Sequence, residues 1–115
     1  MNRDFIVSMF RAIDARDWEA LGGHFHPDMV YERPGFPVLE GREAVLRFYQ
    51  QTRQIHGEHR AEGMAVDGEF VAHWGRFVGA KKDGTPVDVR YSDTYVFADG
   101  MLKHRKSYFF VPLGI

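Results

Sequence analysis

Residues 87–111 read VDVRYSDTYVFADGMLKHRKSYFFV, and this stretch decides the fold. Two segments rich in β-branched and aromatic residues flank Asp99-Gly100, a dipeptide that favours a two-residue hairpin turn because it tolerates positive φ. The sequence therefore predicts a long antiparallel hairpin here. Because side chains alternate along a strand, Tyr91, Asp93 and Tyr95 share one face, and a single carboxylate lies in a row of aromatic rings.

Two earlier Asp-Gly pairs extend this hairpin into a larger sheet. The turn glycines Gly68, Gly84 and Gly100 are evenly spaced along the sequence. This spacing predicts a meander of strands over residues 57–66, 70–80, 87–98 and 101–111. Because sheets twist and strands of this length normally coil, we expect a curved sheet that encloses a pocket.

The part of the chain before the meander is mostly helical in pattern. Apolar residues from Phe5 to Ile13 recur at three- and four-residue steps and predict an amphipathic helix over residues 2–16. Asp17 is a candidate N-cap for a short helix ending near Gly22. A third apolar stripe, which includes Val45 and Phe48, predicts a helix over residues 42–54.

A short strand is predicted between the second and third helices. His26-Pro27-Asp28 has turn chemistry, residues 29–33 read as a strand, and Pro34-Gly35 begins a predicted loop to residue 41. The resulting order, ααβαββββ, predicts one α+β domain over residues 1–115 with its helices packed on one side of the sheet.

Composition excludes several function classes. A net charge of −1 with interspersed signs argues against nucleic acid and anionic membranes as partners. The absence of cysteine excludes disulfides and thiol chemistry. No apolar run approaches the length of a membrane span, and the N-terminal residues lack a signal-peptide pattern, so the default expectation is a cytoplasmic protein.

Five sequence segments together resemble the NTF2-like superfamily, especially its SnoaL-like members. They are Asp17-Trp18, Phe25-His26-Pro27-Asp28, Tyr31-Glu32-Arg33-Pro34-Gly35, Gly41-Arg42-Glu43-Ala44-Val45 and Asp99-Gly100-Met101-Leu102. The resemblance implies an NTF2-like (cystatin-like) cone, in which three N-terminal helices pack on a strongly curved mixed β-sheet. The superfamily includes isomerases, cyclases, epoxide hydrolases, dehydratases and binding proteins, so the fold alone does not fix the activity.

The resemblance argues against two of these activities. In ketosteroid isomerase, a case that is well described in catalytic terms, a strand carboxylate is the base, and a tyrosine and a neutral aspartic acid form the oxyanion hole. Here the neutral acid falls on Asp93, but the tyrosine falls on Met9 and the base on Arg33. The paired acids of limonene epoxide hydrolase fall near Arg76 and Ser107. Steroid isomerase and epoxide hydrolase chemistry are therefore not expected.

The resemblance also implies which side chains line the cone. The expected ligand-binding set is Tyr31, Arg33, Phe48, Trp74, Arg76, Tyr91, Tyr95, Arg105, Ser107 and Phe109, with Asp93 as the candidate catalytic residue. Two interpretations of Asp93 stay open. In the first, Asp93 is a general acid or base, and Arg76 and Arg105 bind a carboxylate, enolate or phenolate. In the second, Arg76 or Arg105 neutralises Asp93 in an internal ion pair, which would make Asp93 a poor proton donor.

Metal and nucleophilic chemistry have little support in the sequence. His24 and His26, and His56 and His59, are closely spaced, but neither pair has a cysteine or an HExxH pattern, so no metal and no cofactor are expected. No serine lies in a GxSxG elbow. The outer sheet face, predicted to carry His73, Phe77, Leu102, His104, Tyr108 and Phe110, is apolar and suggests a homodimer.

The sequence as a whole favours a small-molecule pocket. The leading hypothesis is a lyase or isomerase that performs acid–base chemistry on a small carbonyl or carboxylate compound through Asp93, with an arginine stabilising negative charge. The alternatives are a non-catalytic protein that binds a small anionic or aromatic ligand and, ranked lowest, a protein-interaction scaffold.

Overall fold

The structure, a computed structural model, describes residues 2–110. Its elements are α1 (Asn2–Ala15), α2 (Trp18–Gly22), β1 (Phe25–Glu32), β2 (Leu39–Glu40), α3 (Arg42–Arg47), a π-helical turn (Phe48–Thr52), β3 (Ile55–Asp67), β4 (Phe70–Lys81), β5 (Pro86–Ala98) and β6 (Met101–Phe110). The predicted end of the last strand, residue 111, lies outside the described residues.

The strands form one mixed sheet in the order β2-β1-β6-β5-β4-β3. Its long strands β3 to β6 pair antiparallel, whereas β1 runs parallel to β6. Two bulges interrupt the ladders of the long strands, because Glu62 is an extra residue in β3 and Lys103 an extra residue in β6. Bulges increase local twist and bend the strand that carries them, which contributes to the curvature of this sheet.

The helices cover one face of the sheet, which we call the inner face. Ile6, Met9 and Ile13 of α1 and Leu21 of α2 are all buried against it. On the sheet side the core is completed by residues of four strands, namely Phe25, Met29, Tyr31, Val71, Phe77, Tyr91, Tyr95, Phe97 and Leu102. The predicted α+β class with a curved mixed sheet is confirmed.

Local sequence signals located most element ends. Asp99 and Gly100 both adopt positive φ, as the predicted hairpin turn requires. The side chain of Asp17 accepts a hydrogen bond from the backbone N–H of Ala20, which confirms it as the N-cap of α2. The third helix forms where predicted, but it ends in the π turn. No helix among residues 2–110 has the length and apolar character to cross a membrane.

The segment after α2 differs from its prediction. His26-Pro27-Asp28 lies inside β1 and not in a turn. The β1–β6 pairing shifts register between Phe25 and Val30, so Pro27, which has no N–H to donate, occupies an irregular part of the ladder. The predicted loop also contains the short strand β2, which pairs with Val30 and Tyr31.

The face of β4 is the main correction. Trp74 and Arg76 were expected inside the cone, but they lie on the outer face, and Trp74 is 43% exposed. Cross-strand register explains why, since directly opposed residues share a face: Tyr91 and Asp93 point inward, so their partners Gly75 and His73 point inward too. Phe77, two residues further, is also buried inside.

Two other outer-face expectations are wrong for a related reason. Leu102 is fully buried on the inner face, because the extra residue Lys103 reverses the alternation of β6 at the bulge. His73, predicted as an interface residue, is fully buried inside. His104 stays partly exposed, with its ring Nε2 at 2.6 Å from the carboxylate of Glu32.

Candidate functional site

A cavity of about 790 Å³ lies between the inner sheet face and the π turn. Aromatic and aliphatic side chains form most of its wall, and the exposed residues Phe36, Lys81 and Pro86 mark its rim. Cavities of this size and composition commonly hold small molecules. The charged and polar groups of the wall determine which molecules fit.

Asp93 lies in the cavity wall and is held by three donors on one oxygen. The Tyr95 hydroxyl donates to Oδ2 over 2.7 Å, and Nε and Nη2 of Arg105 donate to the same atom over 3.2 and 3.0 Å. Asp93 and Arg105 are 1% and 4% exposed, so they form a buried ion pair. This is the internal-pair interpretation of Asp93, with Arg105 and not Arg76 as the partner.

The ion pair with Asp93 determines the direction in which the pKa of Arg105 is shifted. Burial alone would lower the pKa of Arg105, but the carboxylate of Asp93 and the nearby tyrosine hydroxyls outweigh it and hold that pKa above its usual range. The same guanidinium donates to the hydroxyl of Tyr49, a residue of the π turn. Burial, supported by Asp93, also raises the pKa of Tyr95 well above its usual value, so its hydroxyl stays a donor.

Two polar atoms beside this pair have no partner among residues 2–110. They are Oδ1 of Asp93 and the hydroxyl of Tyr91, and both are buried. Tyr91 and Asp93 both line the cavity. Because an unsatisfied buried polar atom costs about 1–3 kcal/mol, these atoms mark a place where a ligand or water would make hydrogen bonds.

Two further arginines line the cavity without a carboxylate partner in the described part of the chain. Arg33 lies over the rings of Phe48 and Phe36, at 3.9 and 4.2 Å from their centroids. Arg53 lies between Tyr49 and Phe77, at 5.5 and 5.4 Å. Burial is the largest cause acting on the pKa of both arginines, and it lowers that pKa.

The π turn places several of these groups together. The backbone N–H of Arg53 donates to the carbonyl of Phe48 over 2.8 Å and closes the wide turn. Phe48, Tyr49, Thr52 and Arg53 all line the cavity as a result. Single π turns inside helices are frequent at functional sites, which agrees with this position.

His59 of β3 contributes the only described imidazole of the cavity wall. Its ring Nδ1 lies 2.7 Å from Oδ1 of Asp14 in α1, and its backbone N–H donates to Oδ2 of the same carboxylate over 2.9 Å. The ring stacks on Phe10 with a centroid distance of 4.2 Å. Burial lowers the pKa of His59, although Asp14 opposes the effect.

His73 should make stability depend on pH. Burial lowers its pKa from 6.5 to about 4, although Asp93 opposes the effect, and neither ring nitrogen has a described partner. The unfolded state therefore binds the proton at a higher pH, so stability is complete above about pH 6.5 and is lost as the pH falls toward 4. A shift of this size corresponds to roughly 3 kcal/mol.

Urea unfolding of the wild type and His73→Leu at pH 7.5 and 4.5 measures this contribution. We expect the wild type to lose more stability than the variant between these pH values, by roughly 2.5 kcal/mol. Titratable groups that do not interact with His73 contribute equally to both proteins and cancel in the comparison. Equal losses in the two proteins would show that His73 is not a neutral buried group.

The predicted site residues separate into three groups. Tyr31, Arg33, Phe48, Tyr91, Asp93, Arg105 and Phe109 line the cavity. Tyr95 and Ser107 are buried behind this wall, where Tyr95 holds Asp93 and Ser107 hydrogen-bonds the Tyr31 hydroxyl over 3.2 Å. Trp74 and Arg76 lie on the other face, and Nε of Arg76 donates to Asp88 over 2.6 Å. Whether the cavity residues bind a ligand stays a prediction.

Four residues of the site were not predicted from the sequence: Asp14, Tyr49, Arg53 and His59. Arg53 follows Tyr49 by four residues and Asp14 follows Phe10 by four, so each lies beside the apolar stripe of its predicted helix. A charged residue at such a position is a sign, readable from the sequence, of a candidate site residue. Within residues 2–110 no group of three or more histidine and acidic side chains is placed to hold a metal ion.

Residues 6–105 match the family model described as a SnoaL-like domain. The chain belongs to the SnoaL-like family. The match spans most of the sequence and agrees with the curved six-stranded sheet and its helices. The family is one of isomerases and cyclases, which leaves the reaction of this SnoaL-like protein to be determined.

Solved structures agree with the fold of this SnoaL-like chain. A hypothetical protein with a ketosteroid isomerase-like fold from Catenulispora acidiphila, in complex with trimethylamine, superposes with a TM-score of 0.82 at 18% identity, over 93% of this chain and 85% of the other. An NTF2-like protein of unknown function from Burkholderia pseudomallei gives 0.83 at 16% identity, over 95% and 90%.

An LEH-like epoxide hydrolase from M. tuberculosis gives a TM-score of 0.82 at 17% identity, over 93% of this chain and 80% of that one. At these identities the likeness establishes the fold alone. Among curated proteins, none matches the sequence.

Proposed function

We propose that the cavity binds a small organic anion with an aromatic or otherwise apolar body, and that the protein performs proton transfer on this compound. The observation that carries the proposal is the pair of arginines in the cavity wall, Arg33 and Arg53, that reach no carboxylate within residues 2–110. A partly buried cation without a partner is unfavourable, and a bound anion would compensate it.

The other arginines near the cavity are already neutralised. Arg105 is committed to Asp93 inside the wall, and Arg76 to Asp88 on the outer face. Anion binding therefore falls to Arg33 and Arg53, and not to Arg76 and Arg105 as the sequence suggested. The guanidinium group of either arginine can bind both oxygens of a carboxylate through two N–H groups.

The rest of the wall supports an apolar ligand body. Tyr31, Phe48, Tyr49 and Phe77 present their rings to the cavity. Oδ1 of Asp93 and the Tyr91 hydroxyl then provide two buried polar contacts at the same wall. A ligand that carries a carboxylate at one end and a hydroxyl or carbonyl group further along would satisfy both sets of groups.

The finer reaction class proposed is a lyase or isomerase acting on a small carbonyl or carboxylate compound. Because Arg105 neutralises Asp93 inside the wall, the free oxygen of Asp93 is suited to accept a hydrogen bond from the ligand. The second candidate is a non-catalytic binding protein for the same class of ligand, since a bound anion would compensate the two unpaired arginines whether or not a reaction follows. Interaction with another protein through this cavity has the least support.

A thermal-shift comparison of charged and neutral analogues tests the binding proposal. The compounds are benzoate with benzamide, and phenylpyruvate with its methyl ester. A ligand present at a hundred times its Kd stabilises by about 2.7 kcal/mol, which is several degrees in a domain of this size. We expect shifts from the anions only, with a loss of most of the shift in the Arg33→Gln/Arg53→Gln double variant.

The matched control is Arg11→Gln, which removes an exposed arginine from α1. It should respond to the anions as the wild type does. Equal shifts from the neutral compounds, or an undiminished response in the double variant, would contradict anion binding by Arg33 and Arg53.

A homodimer is proposed separately, from the outer sheet face. Five exposed apolar residues share this face and define what we call the outer-face patch: Phe70, Trp74, Val96, Tyr108 and Phe110. Contiguous exposed apolar surface of this kind often marks an interface.

In sedimentation velocity we expect the wild type to sediment as a dimer and Tyr108→Glu as a monomer, while Lys103→Glu on the bulge remains dimeric. A monomeric wild type would contradict this proposal.

A further inference from the structure

We infer that His59, oriented by Asp14, is the general base of this cavity, and that its substrate is an enolisable keto acid, an anion with an acidic C–H beside a carbonyl group. The inference rests on the proposed anion binding and adds to it a reacting group and a substrate class. It assigns proton abstraction to a residue other than Asp93.

The contact between Asp14 and His59 fixes the tautomer of the ring. A carboxylate only accepts hydrogen bonds, so ring Nδ1, at 2.7 Å from Oδ1, must carry the proton. In the neutral imidazole the lone pair is then on Nε2. Within residues 2–110 no group hydrogen-bonds Nε2, and the side chain is only 8% exposed. Since the ring lines the cavity, its free lone pair is available to a bound compound.

Asp14 holds this arrangement through both of its oxygens. Its second oxygen accepts the backbone N–H of His59 over 2.9 Å, so the carboxylate holds both the strand and the ring. A carboxylate that orients a histidine through Nδ1 is the usual arrangement of a base and its positioning residue. The ring is further fixed by stacking on Phe10 at a centroid distance of 4.2 Å.

The groups that face the ring keep it neutral. Asp14 approaches from α1, Phe77 from β4, Tyr91 from β5, Arg53 from the end of the π turn and Arg105 from β6. Burial and the two arginines lower the pKa of His59, and Asp14 alone raises it. A neutral imidazole near physiological pH is the form that can take a proton.

The proposed step balances with groups of the cavity and water. Nε2 of His59 takes the proton from the carbon beside the carbonyl, and the C–H electron pair moves to form the enolate, with negative charge on the carbonyl oxygen. When the imidazolium first exchanges this proton with water and then protonates the same carbon, the result is exchange; protonation of a neighbouring carbon gives isomerisation. Arg53 lies in the same wall and stabilises the anionic intermediate.

Deuterium exchange into phenylpyruvate tests this step. The probe carries a carboxylate, an aromatic ring and a methylene beside its carbonyl, and loss of the methylene signal in D₂O is followed by proton NMR. We expect the wild type to accelerate exchange and His59→Gln to be slower by about 100-fold, the size of a typical general-base contribution. His56→Gln removes an exposed histidine from the same strand and should exchange as the wild type does.

Asp14→Asn gives a sharper test of the positioning role. Its amide has one acceptor, so keeping the backbone N–H bond turns the NH₂ group toward ring Nδ1 and forces the proton onto Nε2. We expect exchange to fall in this variant while phenylpyruvate still stabilises the protein in thermal shift. Nitrogen-15 NMR should show His59 protonated on Nδ1 in the wild type and on Nε2 in the variant.

The outcomes separate this inference from the proposed function. Binding of phenylpyruvate that survives in His59→Gln, together with lost exchange, supports both. Binding with exchange unchanged in His59→Gln overturns the role of His59 and leaves anion binding intact. No binding of phenylpyruvate to the wild type overturns the keto-acid inference, and no binding of benzoate either overturns anion binding as well. The pH profile adds a check, because exchange should rise with pH to a plateau, with its midpoint below the ordinary histidine pKa of about 6.5.

Discussion

Replacing Arg105 by methionine should destabilise the protein by about 3–5 kcal/mol, because it leaves Asp93 as a buried carboxylate without a counter-charge. Both residues are almost fully buried, and three donors, two of them from Arg105, hold one oxygen of Asp93. Tyr49 would lose its donor as well. Urea unfolding at pH 7, with the wild type measured in parallel, gives the difference in the free energy of unfolding.

The double variant Asp93→Asn/Arg105→Met is the control for this prediction. Removing both charges together leaves no uncompensated ion, so the double variant should be more stable than Arg105→Met alone, with a coupling well above the roughly 0.5 kcal/mol seen for independent sites. Additive losses would mean that the two residues do not form a charge pair. Arg11→Gln, which is exposed on α1, should be close to neutral.

Phe77→Ala should be nearly as destabilising, at about 3 kcal/mol or more, because it empties space in the core. Phe77 is 3% exposed and contacts His59 edge-on with a centroid distance of 4.8 Å. The prediction tests the face of β4, because the sequence placed Phe77 outside and Trp74 inside. Thermal and urea unfolding of the variant at low protein concentration provide the measurement.

Trp74→Ala is the control variant that tests which face of β4 is buried. Trp74 is on the outer face, 43% exposed and packed over Gly63, so its removal should cost a single subunit clearly less than Phe77→Ala does. Any larger loss should depend on protein concentration, since Trp74 belongs to the outer-face patch. A large, concentration-independent loss in Trp74→Ala with a small one in Phe77→Ala would reverse the assignment of the two faces.

Local chemistry made much of the fold predictable. Asp99-Gly100 adopts the positive φ values that its hairpin requires, and Asp17 caps α2 with its own side chain. The apolar stripe of α1 is buried as its spacing indicates. These features depend on residues that are close together in the sequence, so short-range pattern is sufficient to find them.

The inner face of β4 could not be chosen in this way. Both of its faces carry large apolar residues, with Val71 and Phe77 on one and Phe70 and Trp74 on the other, so alternation alone does not identify the buried one. Register decides it, because Asp93 pairs directly with His73. Gly75 gives a further physical reason: a Cβ there would lie 2.8 Å from the Tyr91 hydroxyl, so this inward position requires glycine.

The side-chain contacts within the site also could not be predicted from the sequence. Asp14 and His59 are separated by 45 positions and meet only because α1 packs on β3. The sequence placed Asp93 and Arg105 on one face and left open which arginine neutralises the acid. The structure resolves that alternative in favour of Arg105, because directly paired strands bring it and Asp93 together while Arg76 points outward.

A crystal structure with a bound aromatic carboxylate would test anion binding by this cavity most directly. The compound is whichever of benzoate and phenylpyruvate gives the larger thermal shift, soaked or co-crystallised at saturating concentration. We expect the carboxylate within hydrogen-bond distance of Arg33 or Arg53 and the ring among Tyr31, Phe48 and Phe77. A carboxylate bound to Arg76 on the outer face, with the cavity holding only water, would contradict it.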